Sequence, residues 1–269
     1  MHVFPGGMID EGDSLSSWQA LASGPTTPRW KPILKQFSDE EEFKRRIASV
    51  RETFEETNIL LAKCASSFSH KLISSEDKHD THWFSKYCTT HEVEPDLTSL
   101  VPFARWITPI VMKARFDSAF YLAPVQESQL AYTDCNPGEI DALDWFSPDE
   151  ALSAYSSGRI KLAPPTYVKI AEMNTCEKYE TLMNPASREM PDAILPVFVP
   201  ASEDGQPPAI ALPGDKDHPS TPKNERTTMQ LRRMQNPGGA KQTFVQTPSD
   251  LPLLSNIGST FAKKDKAKL

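Results

Sequence analysis

Nine residues, Arg51-Glu52-Thr53-Phe54-Glu55-Glu56-Thr57-Asn58-Ile59, constrain this chain more than any other segment. In a helix Glu52, Glu55 and Glu56 stand one turn apart, so their carboxylates share a patch. Clustered acids repel one another, and a divalent cation that takes oxygen ligands, Mg²⁺ or Mn²⁺, removes the repulsion. The flanking residues mark the helix. Ser38-Asp39-Glu40-Glu41 has the Ser-x-x-Glu form of a capping box, with acids in the first turn where the helix dipole favours them. Phe43, Ile47, Val50 and Phe54 recur at helical spacing and form one apolar stripe. At about 100° per residue the three acids centre on the opposite face. Asn58 tolerates the left-handed conformation that ends helices. The pattern predicts a helix beginning near residue 39 whose stripe packs on a core and whose acids face a cleft. A plain solvated acidic face is the alternative reading.

A second segment changes the balance. Phe4-Pro5-Gly6-Gly7-Met8-Ile9-Asp10-Glu11-Gly12-Asp13, taken with residues 51–59, resembles the Nudix box G-x5-E-x7-R-E-U-x-E-E-x-G-U, where U is bulky and aliphatic. Asp13 stands at the first Glu of the box, Thr53 at its first U and Asn58 at its last Gly. Residues 14–50 separate the halves, 37 positions where the box has seven. The surplus is expected to form a loop at about residues 14–38, turned by Gly24, Pro25, Pro28 and Pro32. A box split in this way is similar to the peroxisomal coenzyme A diphosphatase branch of the Nudix hydrolases (the nucleoside diphosphate-linked moiety X motif 19 type). Trp106-Ile107-Thr108-Pro109, Arg115-Phe116-Asp117-Ser118-Ala119, Leu195-Pro196-Val197-Phe198-Val199 and Leu212-Pro213-Gly214-Asp215 agree with that branch.

The resemblance implies an α+β Nudix fold, a mixed β-sheet between helices in an α/β/α sandwich, with a long insertion inside the box and a Pro-rich C-terminal extension. The Nudix domain would occupy residues 1–183. Residues 184–215 would add a β-hairpin, Ile194–Val199 against Ala209–Leu212 around Asp204-Gly205. Residues 216–269 read as a mostly extended or disordered basic tail. Other expectations come from local pattern: a strand over 116–122, a turn at 134–138, a strand end at Trp145-Phe146 feeding a helix that opens at Pro148, and a helix from Pro164 to about Met183. Only Met1, His2 and Val3 precede the Gly-rich turn, where the family normally has a strand or more. The sheet would then lose a strand and expose its neighbour's unpaired amides and carbonyls. The expectation is either that the chain is a fragment or mis-started product, or that another segment supplies the strand.

The chemistry implied is metal-dependent hydrolysis of a phosphoanhydride, with Mg²⁺ or Mn²⁺ held by Glu52, Glu55, Glu56 and the backbone carbonyl of Gly7. Arg51 joins the catalytic set as a buttress of the acids by ion pairing; an ordinary helix-surface Arg is the alternative. Glu52 is the first choice of general base and Glu139 the second. Coenzyme A or an acyl-coenzyme A is the implied substrate, cleaved to 3′,5′-ADP and (acyl-)4′-phosphopantetheine. No residue identifies the substrate-binding contacts. ADP-ribose or an NADH-type dinucleotide is the alternative substrate, and a Nudix-fold binding module that does not cleave is the alternative class. A rival zinc reading on Cys64, His70, His79, His82, Cys88 and His91 matches no established ligand spacing.

Composition bounds the rest. The chain has 269 residues, a net charge of −7, 38% hydrophobic residues and a mean hydropathy of −0.47, which fits a core with sizeable loops. No apolar run approaches a membrane span, no secretory signal precedes the Gly-rich turn, and Cys64, Cys88, Cys135 and Cys176 lack framework spacing, so free thiols are expected. The chain ends in Ala267-Lys268-Leu269, a close variant of the Ser-Lys-Leu address that a peroxisomal import receptor reads. Residues 223–269 hold nine Lys and Arg against three Asp and Glu, scattered among prolines, a pattern that favours the address over nucleic-acid binding.

Overall fold

The computed structural model describes residues 1–19, 38–63, 80–130, 133, 140–184, 193–201, 208–215, 217–220, 230–235 and 241–246. Two compact units divide the chain, one of residues 4–102 and 121–145, the other of residues 1–3, 103–120 and 146–269.

In the first unit a 3-10 turn, Glu11–Asp13, leads into α1 (Leu15–Gln19). The loop expected at residues 14–38 therefore opens with a helical turn, because Trp18 supplies an apolar side chain that the core buries to 2% exposure. Residues 20–37 lie outside the described part. α2 (Asp39–Thr57) begins and ends where its sequence dictates. Ser38 Oγ accepts from Glu41 N at 3.3 Å while Glu41 Oε2 accepts from Ser38 N at 3.1 Å. Asn58 closes the helix at φ 57° in the left-handed region. The stripe Phe43, Ile47, Val50 and Phe54 is buried with Trp18, Leu60, Leu97 and Leu100. A short antiparallel pair, β1 (Ala62–Lys63) with β2 (Glu94–Pro95), flanks α3 (Trp83–Thr90), and α4 (Glu127–Leu130) completes the unit.

One buried ion pair carried no hydrophobic signal in the sequence. Glu42 and Arg46 are 0% and 1% exposed. Glu42 Oε1 accepts from Arg46 Nε and Nη2 at 2.9 and 2.7 Å, and the carbonyls of Leu97 and Leu100 accept from Nη1 at 2.7 and 2.8 Å. A buried guanidinium survives this way, its charge matched and its donors occupied. It thereby ties α2 to the turn at residues 97–100.

β3 (Val101–Ile107) pairs with β4 (Asp117–Leu122), the greater part of each belonging to the second unit, and a two-pronged contact of Arg105 with Asp117 at 2.7 and 2.6 Å reinforces the pair there. β5 (Val197–Val199) and β6 (Ala209–Ala211) form the expected antiparallel pair. The turn between them at Asp204-Gly205 lies outside the described residues. β7 (Gln230–Gln235) and β8 (Lys241–Gln246) extend that pair to four strands, so part of the tail expected to be extended or disordered is paired. Parallel bridges join His2 to Leu162 and Trp106 to Ile194.

α5 (Pro148–Ser156) starts at its predicted proline behind a Ser147–Glu150 capping box. Trp145 and Phe146 belong to no described strand; Phe146 is engaged instead by the His2 ring and the Arg159 guanidinium. The single helix expected from Pro164 to Met183 is two, α6 (Pro164–Asn174) and α7 (Tyr179–Met183). Thr175 breaks it, because its hydroxyl donates to the Glu172 carbonyl at 2.7 Å and competes with the helical ladder. No described helix is long and apolar enough to cross a membrane.

Candidate functional site

The last two turns of α2 bring Arg51, Glu52, Glu55 and Glu56 against the Gly-rich turn, all within the first unit. Arg51 is the hub. Its Nε and Nη2 donate to the two Asp13 carboxylate oxygens, each at 2.9 Å, and Nη2 also donates to the Met8 carbonyl at 2.8 Å. Its Nη1 donates to Glu52 Oε1 at 2.9 Å and approaches both Glu55 oxygens at 3.4 Å. Asp13 is 1% exposed and held by the Asp10 N–H at 2.7 Å, so the shorter acid still reaches Arg51. Glu56 Oε2 accepts from Gly6 N at 3.2 Å, and Glu55 Oε1 accepts from Trp83 Nε1 at 2.9 Å.

Two glycines permit these approaches. A Cβ on Gly7 would sit 2.5 Å from the Glu52 carboxyl atoms, so the absent side chain is what gives that carboxylate its room. On Gly12 a Cβ would lie 1.8 Å from the Thr81 carbonyl oxygen, a contact with backbone that nothing can relieve cheaply. Gly12 thereby sets the 3-10 turn directly against the segment entering α3.

Charge is distributed unevenly across the cluster. Burial of the Arg51 guanidinium favours its neutral form, yet the hydrogen bond and charge of Asp13, with Glu52 and Glu55, outweigh this and hold it more firmly protonated than usual. Burial pushes the Glu52 carboxyl up to about 7; the Arg51 charge opposes this, and Glu55 and Glu56 add to it. Arg51 divides one charge among three acids and is bound most closely to Asp13. Glu52 is therefore a partly buried carboxyl short of positive charge. Among the described residues no three His, Cys, Asp or Glu side chains converge in metal-holding geometry. The donor set nevertheless fits a hard divalent ion: oxygen ligands only, mutually repelling.

Of the residues singled out from sequence, Gly7, Arg51, Glu52, Glu55 and Glu56 come together here, and Glu139 lies outside the described residues. Trp83 and the Met8 carbonyl were not anticipated. The spacing of Trp83, Phe84, Tyr87 and Cys88 is that of an amphipathic helix, and this signal was hidden inside a polar, His-rich stretch. Cys88 is 1% exposed in the core, His82 precedes α3 and His91 follows it against the Tyr87 ring, while Cys64, His70 and His79 fall outside the described part. Cys88 and Cys176 take part in no disulfide among the described residues. The second unit holds an apolar cavity of about 420 Å³ lined by Pro109, Val111, Met112, Phe198, Pro208, Ala209 and Ile210, which offers no group for acid–base or metal chemistry.

Comparison with known proteins identifies the family. Residues 1–173 match the NUDT19 Nudix domain family. Acyl-coenzyme A diphosphatase NUDT19 of Gallus gallus is 27% identical, over 82% of this chain and 69% of its own length. The protein of that name from Homo sapiens is 27% identical over 64% and 56%, and the one from Xenopus laevis 28% over 82% and 67%. The chain thus spans between 56% and 69% of the length of these curated relatives. Among solved structures, a NUDIX hydrolase from Alicyclobacillus acidocaldarius superposes with a TM-score of 0.54, covering 67% of this chain and 79% of that one at 22% identity; this likeness concerns the fold.

Proposed function

The chain belongs to the NUDT19 Nudix family, and on that premise we propose that it hydrolyses the phosphoanhydride of coenzyme A or an acyl-coenzyme A, releasing 3′,5′-ADP and (acyl-)4′-phosphopantetheine. The observation that carries the reading is the reunion of the split box. Asp13, 38 positions before Arg51, grips it with two 2.9 Å hydrogen bonds and so brings the Gly-rich turn to the three acids. The substrate class follows from the relatives named acyl-coenzyme A diphosphatase.

Nudix hydrolases generally need a divalent ion, and Glu52, Glu55 and Glu56 with the Gly7 carbonyl are the groups that would hold Mg²⁺ or Mn²⁺ here. When bound, such an ion offsets the charge that develops on the diphosphate oxygens. Arg51 is the orienting group, fixing Glu52 and Glu55 while its own position is set by Asp13 and the Met8 carbonyl. Glu52 is the general base, a partly buried carboxylate that Arg51 orients through a 2.9 Å hydrogen bond and that takes the proton of the attacking water. The water oxygen bonds to phosphorus, its proton passes to Glu52, and the bridging oxygen leaves with the electron pair of the broken anhydride bond. A panel of diphosphates with Mg²⁺ or Mn²⁺ tests the assignment. Coenzyme A esters should lead; preference for ADP-ribose or NADH would reassign the substrate, and no cleavage of any diphosphate would leave a binding module.

The tail supports a cellular address. Ala267-Lys268-Leu269 has the small residue, base and leucine of a peroxisomal terminus, which an import receptor reads with its free carboxylate. Residues 258–269 fused to the C-terminus of a fluorescent protein should direct it to peroxisomes, and deletion of Leu269 should abolish this. Diffuse signal from the intact fusion, or import that survives the deletion, would end the assignment.

A further inference from the structure

We propose that Trp83 is a positioning residue for Glu55, holding that carboxylate in the orientation from which it binds the divalent ion. The inference rests on the diphosphatase reading and deepens it. An indole has one proton to donate, and Trp83 gives it to Glu55 Oε1 at 2.9 Å across 28 positions of sequence. The ring is 7% exposed and braced by Phe54, Phe84 and Tyr87, with centroids 6.4, 5.3 and 6.3 Å away, so the direction of its N–H is fixed by packing. The segment entering α3 is fixed as well, because Gly12 lets the 3-10 turn of Asp13 press against the Thr81 carbonyl.

Arg51 cannot do this task alone. Its Nε and Nη2 are committed to Asp13 and its Nη1 is closer to Glu52, at 2.9 Å, than to either Glu55 oxygen, at 3.4 Å. A second cation beside Glu55 would orient it but would also offset the negative charge that a divalent ion seeks. A neutral N–H orients the carboxylate and leaves its full charge in place. Hydrogen-bond partners of metal-binding carboxylates act in this way, and their loss typically weakens metal affinity about 10–100-fold.

The test is Mn²⁺ binding to the full chain, followed by the electron spin resonance of the free ion. Trp83→Phe keeps an aromatic ring and removes the donor. It should weaken Mn²⁺ binding about 10–100-fold, raise the Mn²⁺ concentration needed for half-maximal turnover, and leave kcat at saturating Mn²⁺ close to wild type. In a Glu55→Gln background the same change should have no further effect on Mn²⁺ affinity, whereas a merely structural tryptophan would weaken binding in both. Wild-type chain supplies a second readout that needs no folded variant at position 83: of its five indole N–H resonances, one should move on addition of Mg²⁺. Glu55→Gln should shift that same resonance before any ion is added. Unchanged Mn²⁺ affinity in Trp83→Phe, or indole resonances that ignore Mg²⁺, would overturn the proposal while the diphosphatase reading stands. Wild-type chain that binds no Mn²⁺ would overturn both.

Discussion

Asp13 and Arg51 meet through two parallel hydrogen bonds of 2.9 Å, with side chains 1% and 6% exposed. A pair so deeply buried is balanced only while both partners are present. Removing Arg51 leaves Asp13 as a buried charge without its cation, a loss of about 3–5 kcal/mol. Arg51→Ala should therefore lower the unfolding free energy read from urea denaturation by an amount in that range and abolish turnover, since the Gly-rich turn loses its tie to α2. A stability change under about 1 kcal/mol would mean the pair is dispensable to the fold.

Glu55 and Glu56 should behave in the opposite way. A glutamine at 55 can still accept from the Trp83 indole, and one at 56 can still accept from Gly6 N. Glu55→Gln and Glu56→Gln should each keep metal-free stability within about 0.5 kcal/mol of wild type. Turnover should drop by more than the roughly 10–100-fold associated with groups that merely orient a metal ligand. Normal turnover with a large loss of stability would make these acids structural ion-pair partners instead.

Glu52 predicts a pH dependence. Its folded carboxyl value, about 7, lies above the ordinary 4.5, so the metal-free folded chain holds that proton more tightly than the unfolded chain does. The resulting stabilisation is complete below about 4.5 and is lost as pH rises through about 7. Glu52→Gln has no such proton. Across that window the stability of wild type relative to Glu52→Gln should fall, as read by chemical denaturation with a chelator present. A difference that stays level or rises with pH would contradict the assigned environment.

Gly7 and Gly12 make a matched pair. Alanine at 7 meets the movable end of the Glu52 side chain, whereas alanine at 12 meets backbone at Thr81. Gly7→Ala should reduce turnover with little loss of melting temperature. Gly12→Ala should destabilise the chain by about 1–3 kcal/mol or more through overpacking. Equal effects on stability would remove the distinction between a glycine kept for the site and one kept for the fold.

Much of α2 was legible because its signals are local. The Ser38 box, the four-residue apolar stripe and Asn58 lie within one helix, and each acts where its pattern says. The same is true of Ser147 and Pro148 at α5. What escaped is long-range. Trp83 finds Glu55 across 28 positions, and Arg46 finds the Leu97 and Leu100 carbonyls across 51 and 54. Nothing in a charged Arg46 announces that it will be buried, because the partners that make burial tolerable are invisible until the chain has folded. Trp18 escaped for a related reason, since a short apolar stretch ahead of Pro- and Gly-punctuated sequence carries too little periodicity to read.

The buried Trp18 also bears on how a box can be split at all. Closing the chain between Asp13 and Arg51 over 38 positions, instead of the eight of an unbroken box, adds only about 1.4 kcal/mol of loop-closure entropy, because that term grows with the logarithm of length. Burying one large apolar side chain from the same insertion returns about 1.5–3 kcal/mol. Burial of Trp18 offsets part of the entropy that the interruption adds. The interval between the halves is thus a place where a sequence can lengthen or acquire a new segment while the grip of Asp13 on Arg51 stays the same.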